Sequence, residues 1–174
     1  METQELLEEV EKVHSKRDRA VGVTMAIVAA FLASVTLAGH RLHTEEVVLQ
    51  TRAADGWAYY QAKDGRYHMY AADAKLAGLI GSSQGPALAE AWSRKAEEEH
   101  QQAEAIRQAT ERLDEETQAA ARRATLFDGA EICLEVAIVL CSISLLTGTL
   151  FFWRVSFVGT AIGVAVAAFG FLHR

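Results

Sequence analysis

The stretch that decides the fold is Leu126–Thr147, which reads LFDGAEICLEVAIVLCSISLLT. It is long and apolar enough to cross a bilayer, because about 20 predominantly apolar residues in a helix span the hydrocarbon core. Its first turns nevertheless carry three acids, Asp128, Glu131 and Glu135. The stretch therefore predicts a membrane-spanning helix with charged groups near its beginning.

Two further apolar blocks, 20–39 and 155–172, stand apart from a remainder that is charged and rich in alanine. Apolar residues make up 51% of the 174, and their concentration in three blocks is not how a soluble domain distributes them. We therefore predict an all-α integral membrane protein with three transmembrane helices, whose first partner is the lipid bilayer. The positive charges of Lys16, Arg17 and Arg19 beside the first block favour a cytoplasmic N-terminus.

The predicted organisation has six parts in chain order. They are an amphipathic N-terminal helix (1–19), transmembrane helix 1 (20–39), a long extramembrane antiparallel helical hairpin (40–125) with its turn near 78–86, transmembrane helix 2 (126–147), a short loop (148–154) and transmembrane helix 3 (155–172). With a cytoplasmic N-terminus, this order places the hairpin in the periplasm.

The hairpin is predicted from the middle of the chain, where glycines and the only proline gather between Gly78 and Pro86. The flanking segments are about equal in length, and folding at Gly81–Ser82 sets large residues opposite small ones. The expected pairs are Trp57 with Ile106, Tyr60 with Ala103, Tyr67 with Ala96, and Trp92 with Ala71. Gly56 and Gly65 are expected to kink or break the first arm, since each costs about 1 kcal/mol inside a helix.

The three acids of the second span lie at i, i+3 and i+7, on one helix face. Ionisable groups within a span often mark an ion or proton path, and a symmetric oligomer would stack these acids into rings. The alternative is that Asp128 caps the helix and Glu131 lies at headgroup level. Only Glu135 would then require a partner on another helix.

His40, His43 and Glu46 follow the first span at three-residue spacing. Histidine and glutamate at i and i+3 can share a metal ion, although a complete site would require a further ligand such as His100. Polar groups at a membrane interface explain the same residues without a metal.

The third span carries a continuous face of small residues, Gly159, Gly163, Ala167 and Gly170. Small residues let helices approach closely in lipid, so this face predicts helix packing. Ala26, Ala30 and Ala33 are expected to do the same in the first span. Phe151, Phe152 and Trp153 beside Arg154 predict an aromatic belt at the membrane interface.

Several classes of function are excluded by what the sequence contains. A net charge of −6, with bases scattered among glutamates, argues against a nucleic-acid partner. No phosphate-binding loop, nucleophile elbow or paired-cysteine motif is present, so neither an enzyme nor a cofactor is expected.

The segment Leu49–Lys63, LQTRAADGWAYYQAK, resembles a signature of an uncharacterised bacterial membrane-protein family, a domain of unknown function. The resemblance extends over nearly the whole chain, with a histidine-containing exit from the first span and two closing spans entered through Phe127, Asp128 and Glu131. It implies a multi-pass protein of the bacterial inner membrane and carries no activity with it. Members have a basic loop between the last two spans, where this chain has Arg154 as its one base.

Two functions are consistent with these observations. The first is a membrane-anchored structural or interaction subunit, which assembles through its spans and its hairpin into a homo-oligomer or a larger membrane complex. The alternative is a homo-oligomeric cation or proton channel lined by the acids of transmembrane helix 2.

Overall fold

The computed structural model describes the backbone of residues 2–81 and 83–172 and the side chains of 16–81 and 83–172. Its elements are three helices, α1 (Glu2–Leu79), α2 (Gly85–Thr147) and α3 (Leu150–Leu172), and the described residues contain no strand. The all-α prediction is confirmed. Each helix contains a stretch long and apolar enough to cross a membrane. The apolar face predicted for the N-terminal 19 residues, and Ser82 in the turn, lie outside the described side chains.

Helix α1 is longer and more regular than predicted. It runs without a break through the boundaries expected near residues 19 and 39, and neither Gly56 nor Gly65 interrupts it. A break in the first arm at these glycines is therefore excluded. A glycine costs about 1 kcal/mol in a helix interior, and packing of the surrounding turns against a neighbouring helix outweighs that cost.

The chain divides into two compact units. We call Met1–His43 with Ala121–Arg174 the bundle unit and Thr44–Ala120 the paired unit. Since α1 and α2 each contribute to both, the division falls within helices and not in linkers.

The core of the bundle unit follows a seven-residue repeat. Val21, Val28, Val35 and Leu42 are its large buried side chains on α1, and Ser156, Gly163 and Gly170 are the buried residues on α3. Helix α2 supplies the central layer with Ala124, Phe127, Ala130, Leu134 and Ala137. A repeat of seven keeps one face of each helix turned toward its neighbours, as in supercoiled helices.

The connection between α2 and α3 is shorter than the predicted loop of 148–154. Only Gly148 and Thr149 separate the two helices, so the aromatic cluster at 151–153 belongs to the first turn of α3. Gly148 has a φ of 69°, a left-handed conformation that ends α2 abruptly and suits glycine. The Gly148 N–H donates to the Ser144 carbonyl at 3.0 Å, which satisfies one terminal acceptor of α2, and the Ser144 hydroxyl donates to the Thr149 carbonyl at 2.7 Å.

In the paired unit, contacts join early residues of one helix to late residues of the other. The Trp57 indole N–H donates to Asp114 at 2.9 Å, and the Tyr70 and Trp92 rings lie 5.4 Å apart near the other end of the unit. Helix α1 ends at Leu79 and α2 begins at Gly85, within the predicted turn region. A Cβ on Gly85 would lie 2.6 Å from the Ile80 carbonyl oxygen, so this close approach requires glycine.

Candidate functional site

The three acids of α2, Asp128, Glu131 and Glu135, have different neighbours. The Thr36 hydroxyl donates to Glu131 at 2.8 Å, and His43 Nε2 lies 3.0 Å from an Asp128 oxygen. Glu135, the deepest of the three by sequence, is exposed on the surface of the bundle unit. Two of the predicted ion-path residues thus have partners on α1, and the third faces outward.

This arrangement fits a polar connection between α1 and α2 better than a path through a single chain. Asp128 and His43 are both half-exposed at one end of the bundle unit, as expected of interfacial groups. The Thr36–Glu131 hydrogen bond is partly buried, and such interhelical bonds stabilise packing where water is scarce. A path that uses all three acids would have to form between copies of the chain.

The predicted metal ligands are not assembled into a ligand set. His40 is exposed, His43 contacts Asp128, and Glu46 belongs to the paired unit. Within residues 16–81 and 83–172, no three His, Cys, Asp or Glu side chains are grouped so that they could hold a metal ion. The contact of His43 with Asp128 supports the alternative interpretation, in which His43 is a polar residue at a membrane interface and not a metal ligand.

The small face of α3 packs as a close helix contact. A Cβ on Gly163 would lie 2.9 Å from Leu134 Cγ and 3.0 Å from the Ala130 carbonyl oxygen, and one on Gly159 would lie 3.4 Å from the Cys133 carbonyl oxygen. Gly170 lies against Phe127 in the same way. Ala167 packs on the core and also lines a cavity beside it.

The small residues predicted to pack in the first apolar block do not pack within this chain, so a packing role for them would need another copy or another protein. Ala26, Ala30 and Ala33 are exposed, and α1 instead buries its β-branched residues and Leu42. Larger side chains at seven-residue spacing remove more surface than alanines do, which accounts for the choice of face.

The aromatic residues of the paired unit lie along its sides. The Tyr67 ring lies 4.7 Å from the His100 ring, and the Trp92 ring lies 5.4 Å from that of Tyr70, the residue before its predicted partner Ala71. Trp57 donates to Asp114, two turns beyond Ile106. Alanines occupy the buried centre instead, at positions 53, 74, 77, 96 and 103. Two helices alone cannot surround a large ring, so the rings pack against one another at the sides of the unit. The buried alanines between the two helices form what we call the seam.

A cluster of buried and partly buried charged residues joins the two helices at the centre of the paired unit, and it was not predicted from the sequence. Lys63 is 8% exposed, and its Nζ lies 3.0 Å from a Glu99 oxygen and hydrogen-bonds Gln102. Arg66 Nε approaches the same Glu99 oxygen at 3.2 Å, and Lys63 also lies over the Tyr59 ring. The seven-residue spacing from Ala96 through Ala103 to Thr110 was the available signal, since it puts Glu99 beside the seam.

The charge of Glu99 is stabilised within this cluster. The hydrogen bond from Lys63, with the positive charges of Arg66, Lys63 and Lys95, holds the pKa of Glu99 below its ordinary value of 4.5. Partial burial acts in the opposite direction and is outweighed. A buried pair of this kind contributes to choosing one alignment of two helices over its alternatives.

The bundle unit also contains two adjoining cavities between α1 and α3. One, of about 270 Å3, is lined almost wholly by apolar groups, among them Phe31, Val164 and Ala168. The other, of about 280 Å3, is lined in addition by Arg41 and Arg123. Both are lined by Ser34, Ala38, Phe127 and Phe171, so they form one continuous groove.

The chain belongs to a family of unknown function. The family model described as Domain of unknown function (DUF4337) matches residues 17–173. The predicted membership in such a family is confirmed at that level. No curated protein and no solved structure matches the chain.

Proposed function

We propose that this chain is a membrane-anchored structural or interaction subunit, which acts by binding and not by catalysis. The bundle unit anchors it in the bilayer, and the paired unit is an extramembrane antiparallel hairpin that recognises a partner. The observation that carries the proposal is the contrast between the surfaces of the two units.

The surface of the bundle unit is apolar. Large residues that a soluble protein would bury are half or more exposed on all three helices, for example Ile27, Val139 and Val158. An apolar surface of this extent requires lipid or another apolar partner to cover it. Since the three helices also have the length and hydropathy of spans, lipid is the partner that we propose.

The paired unit has a charged surface with an apolar tip. Charged side chains are frequent along it, so it is proposed to lie outside the hydrocarbon region. The 14 residues from Leu76 to Ala89 carry no charge. Within them Leu76, Leu79, Ile80 and Leu88 are exposed, Leu79 by 82%. Such a tip favours contact with an apolar surface on another protein.

The proposed location is the bacterial inner membrane, with a cytoplasmic N-terminus and a periplasmic hairpin. The cluster of Lys16, Arg17 and Arg19 directly before the first apolar block supports the cytoplasmic N-terminus. Labelling of Ser83→Cys in intact cells, in a background without the native cysteines, tests the orientation. Labelling by a membrane-impermeant reagent is the expected result.

Assembly is tested on the full-length protein. Purified gently and examined by native mass spectrometry, it is expected to form a homo-oligomer or to retain other subunits. The double variant Leu79→Ser/Ile80→Ser should lose a hairpin-mediated partner, whereas Val47→Ser, at an exposed apolar position away from the tip, should keep it. A monomer without partners would contradict the proposal.

Glu135 favours a second function, a homo-oligomeric cation or proton channel. Its carboxylate is exposed on a candidate span, and burial of a charge in lipid is costly unless another copy covers it. Flux through proteoliposomes tests this function, with Glu135→Gln expected to abolish a flux that Glu131→Gln only reduces, because Glu131 already has a partner in Thr36. A flux that both variants leave unchanged excludes the acidic path.

A further inference from the structure

We propose that the groove between α1 and α3 of the bundle unit binds an anionic phospholipid. Its phosphate would contact Arg41 and Arg123, and one acyl chain would lie along the apolar part of the groove. The inference rests on the proposed location of the bundle unit in a membrane, and it names a ligand that this location makes available.

The first observation is that the two arginines of the groove lack ion-pair partners among the described residues. Both line the cavity of about 280 Å3 at the end of the bundle unit, and neither forms an ion pair with a described carboxylate. The Nε of Arg123 is buried and has no hydrogen-bond partner in the described chain. Two arginines without a carboxylate partner beside one groove favour an anionic ligand, and a phosphate would form charge-assisted hydrogen bonds with their guanidinium groups.

No acid is among the described residues that line the groove. Asp128 is directed to His43 and Glu131 to Thr36, and neither lines the groove. Residues 20–39 are uncharged, and α3 has Arg154 as its one charged residue. The groove therefore presents net positive charge, which favours an anionic headgroup.

The second observation is the continuity of the groove. The arginine-lined cavity and the apolar cavity share four lining residues, so a headgroup at Arg41 and Arg123 would have its chains directed toward Phe31 and Val164. A soluble anion would use the arginines but leave the apolar part empty. The combination of both parts is what identifies a lipid as the occupant.

Position along the chain agrees with this assignment. Arg41 lies two residues after the first apolar block, and Arg123 three residues before the second. Arginines there lie at headgroup level, where their long side chains reach lipid phosphates.

The test is native mass spectrometry of the full-length protein in detergent. Phosphatidylglycerol and phosphatidylcholine with identical acyl chains are the two probes. The wild-type protein should retain phosphatidylglycerol preferentially. Arg41→Gln/Arg123→Gln should lower its affinity about tenfold or more and abolish the preference. Arg122→Gln, which removes a neighbouring charge outside the groove, should keep the preference.

A second pair of variants probes the apolar part without altering charge. Ala168→Phe fills the groove and should reduce retention of both lipids, while Ala165→Phe, at an exposed position of α3 outside the groove, should not. Equal retention of both lipids by the wild type, or an unchanged preference in the double arginine variant, would overturn the inference.

Failure of this inference is distinguishable from failure of the proposed anchor. Extraction of cell membranes with alkaline carbonate tests the anchor alone. Release of the protein into the aqueous fraction would contradict the proposed function. Retention in the membrane without a lipid preference would contradict only the groove assignment.

Discussion

The two units of this chain have similar interiors and opposite surfaces. Both place small or β-branched residues at seven-residue spacing in their seams, as at Ala96 and Ala103 in one and Gly163 and Gly170 in the other. The bundle unit surrounds its seam with exposed apolar side chains, and the paired unit surrounds its seam with charges. Helix pairing therefore depends on the small residues of the seam. The exposed side chains instead suit the surroundings that we propose, lipid for the bundle unit and water for the paired unit.

The largest expected effect comes from the centre of the bundle unit. Leu134 is fully buried, so Leu134→Ala should lower the free energy of unfolding by about 2–5 kcal/mol through loss of contacts and creation of a cavity. Ile132→Ala, at an exposed position of the same helix, should change it by about 0.5 kcal/mol or less, because its side chain is not enclosed by the other helices. Titration with SDS, followed by fluorescence of Trp153, measures both. Equal losses would show that position in the seam does not matter.

The next effect compares two glycines of the paired unit. A Cβ on Gly56 would overlap the buried Thr110 side chain, so Gly56→Ala should cost about 1–3 kcal/mol. Gly65 has open space around its Cα, and Gly65→Ala should stabilise the unit by about 0.5–1 kcal/mol through its higher helix propensity. Thermal unfolding followed by Trp57 and Trp92 fluorescence in a Trp153→Phe background measures both. A stabilising Gly56→Ala would disprove the close approach of α1 to Thr110.

A smaller effect is expected where α2 ends. Gly148→Ala places a side chain in a left-handed conformation and should cost about 1–2 kcal/mol. Gly129→Ala, inside the same helix with no atom near its Cβ position, should be neutral or stabilising. The SDS titration used for Leu134 separates them. Equal effects at the two positions would contradict a glycine-dependent end to α2.

The smallest expected effect is a dependence on pH confined to the paired unit. Since the pKa of Glu99 is lower in the folded state than its ordinary value of 4.5, the carboxylate stabilises the fold above that value. This stabilisation is lost as the pH falls through the lowered pKa. Melting temperatures measured from about pH 7 to about pH 3 should fall less steeply in Glu99→Gln than in the wild type. Glu98→Gln, an exposed neighbour, serves as the control and should follow the wild type.

Much of the architecture was predictable because it depends on the composition of whole segments, such as the hydropathy of a stretch of about 20 residues. Twenty apolar residues in a row identify a span wherever they occur, and the Gly78–Pro86 cluster located the turn to within a few residues. The small face of α3 was also predictable, since Gly159, Gly163, Ala167 and Gly170 recur at three- and four-residue spacing and leave a surface that permits close helix packing.

What the sequence did not predict is which face of each helix contacts its neighbour. In the first span, alanines and valines repeat with similar periods, and only the position of α2 decides that Val28 and Val35 are buried while Ala30 is exposed. In the paired unit, the indole N–H of Trp57 reaches Asp114, eight residues beyond Ile106, and only the position of α2 along α1 decides which residue it meets.

The sequence by itself determined that the chain is helical, that three stretches can cross a membrane and that the middle of the chain turns back near residue 82. Tertiary structure alone decided that Lys63 meets Glu99, that Glu131 meets Thr36 and that Arg41 and Arg123 line one groove. The physical reason is that composition and periodicity are properties of one helix, whereas register and rotation are properties of a pair.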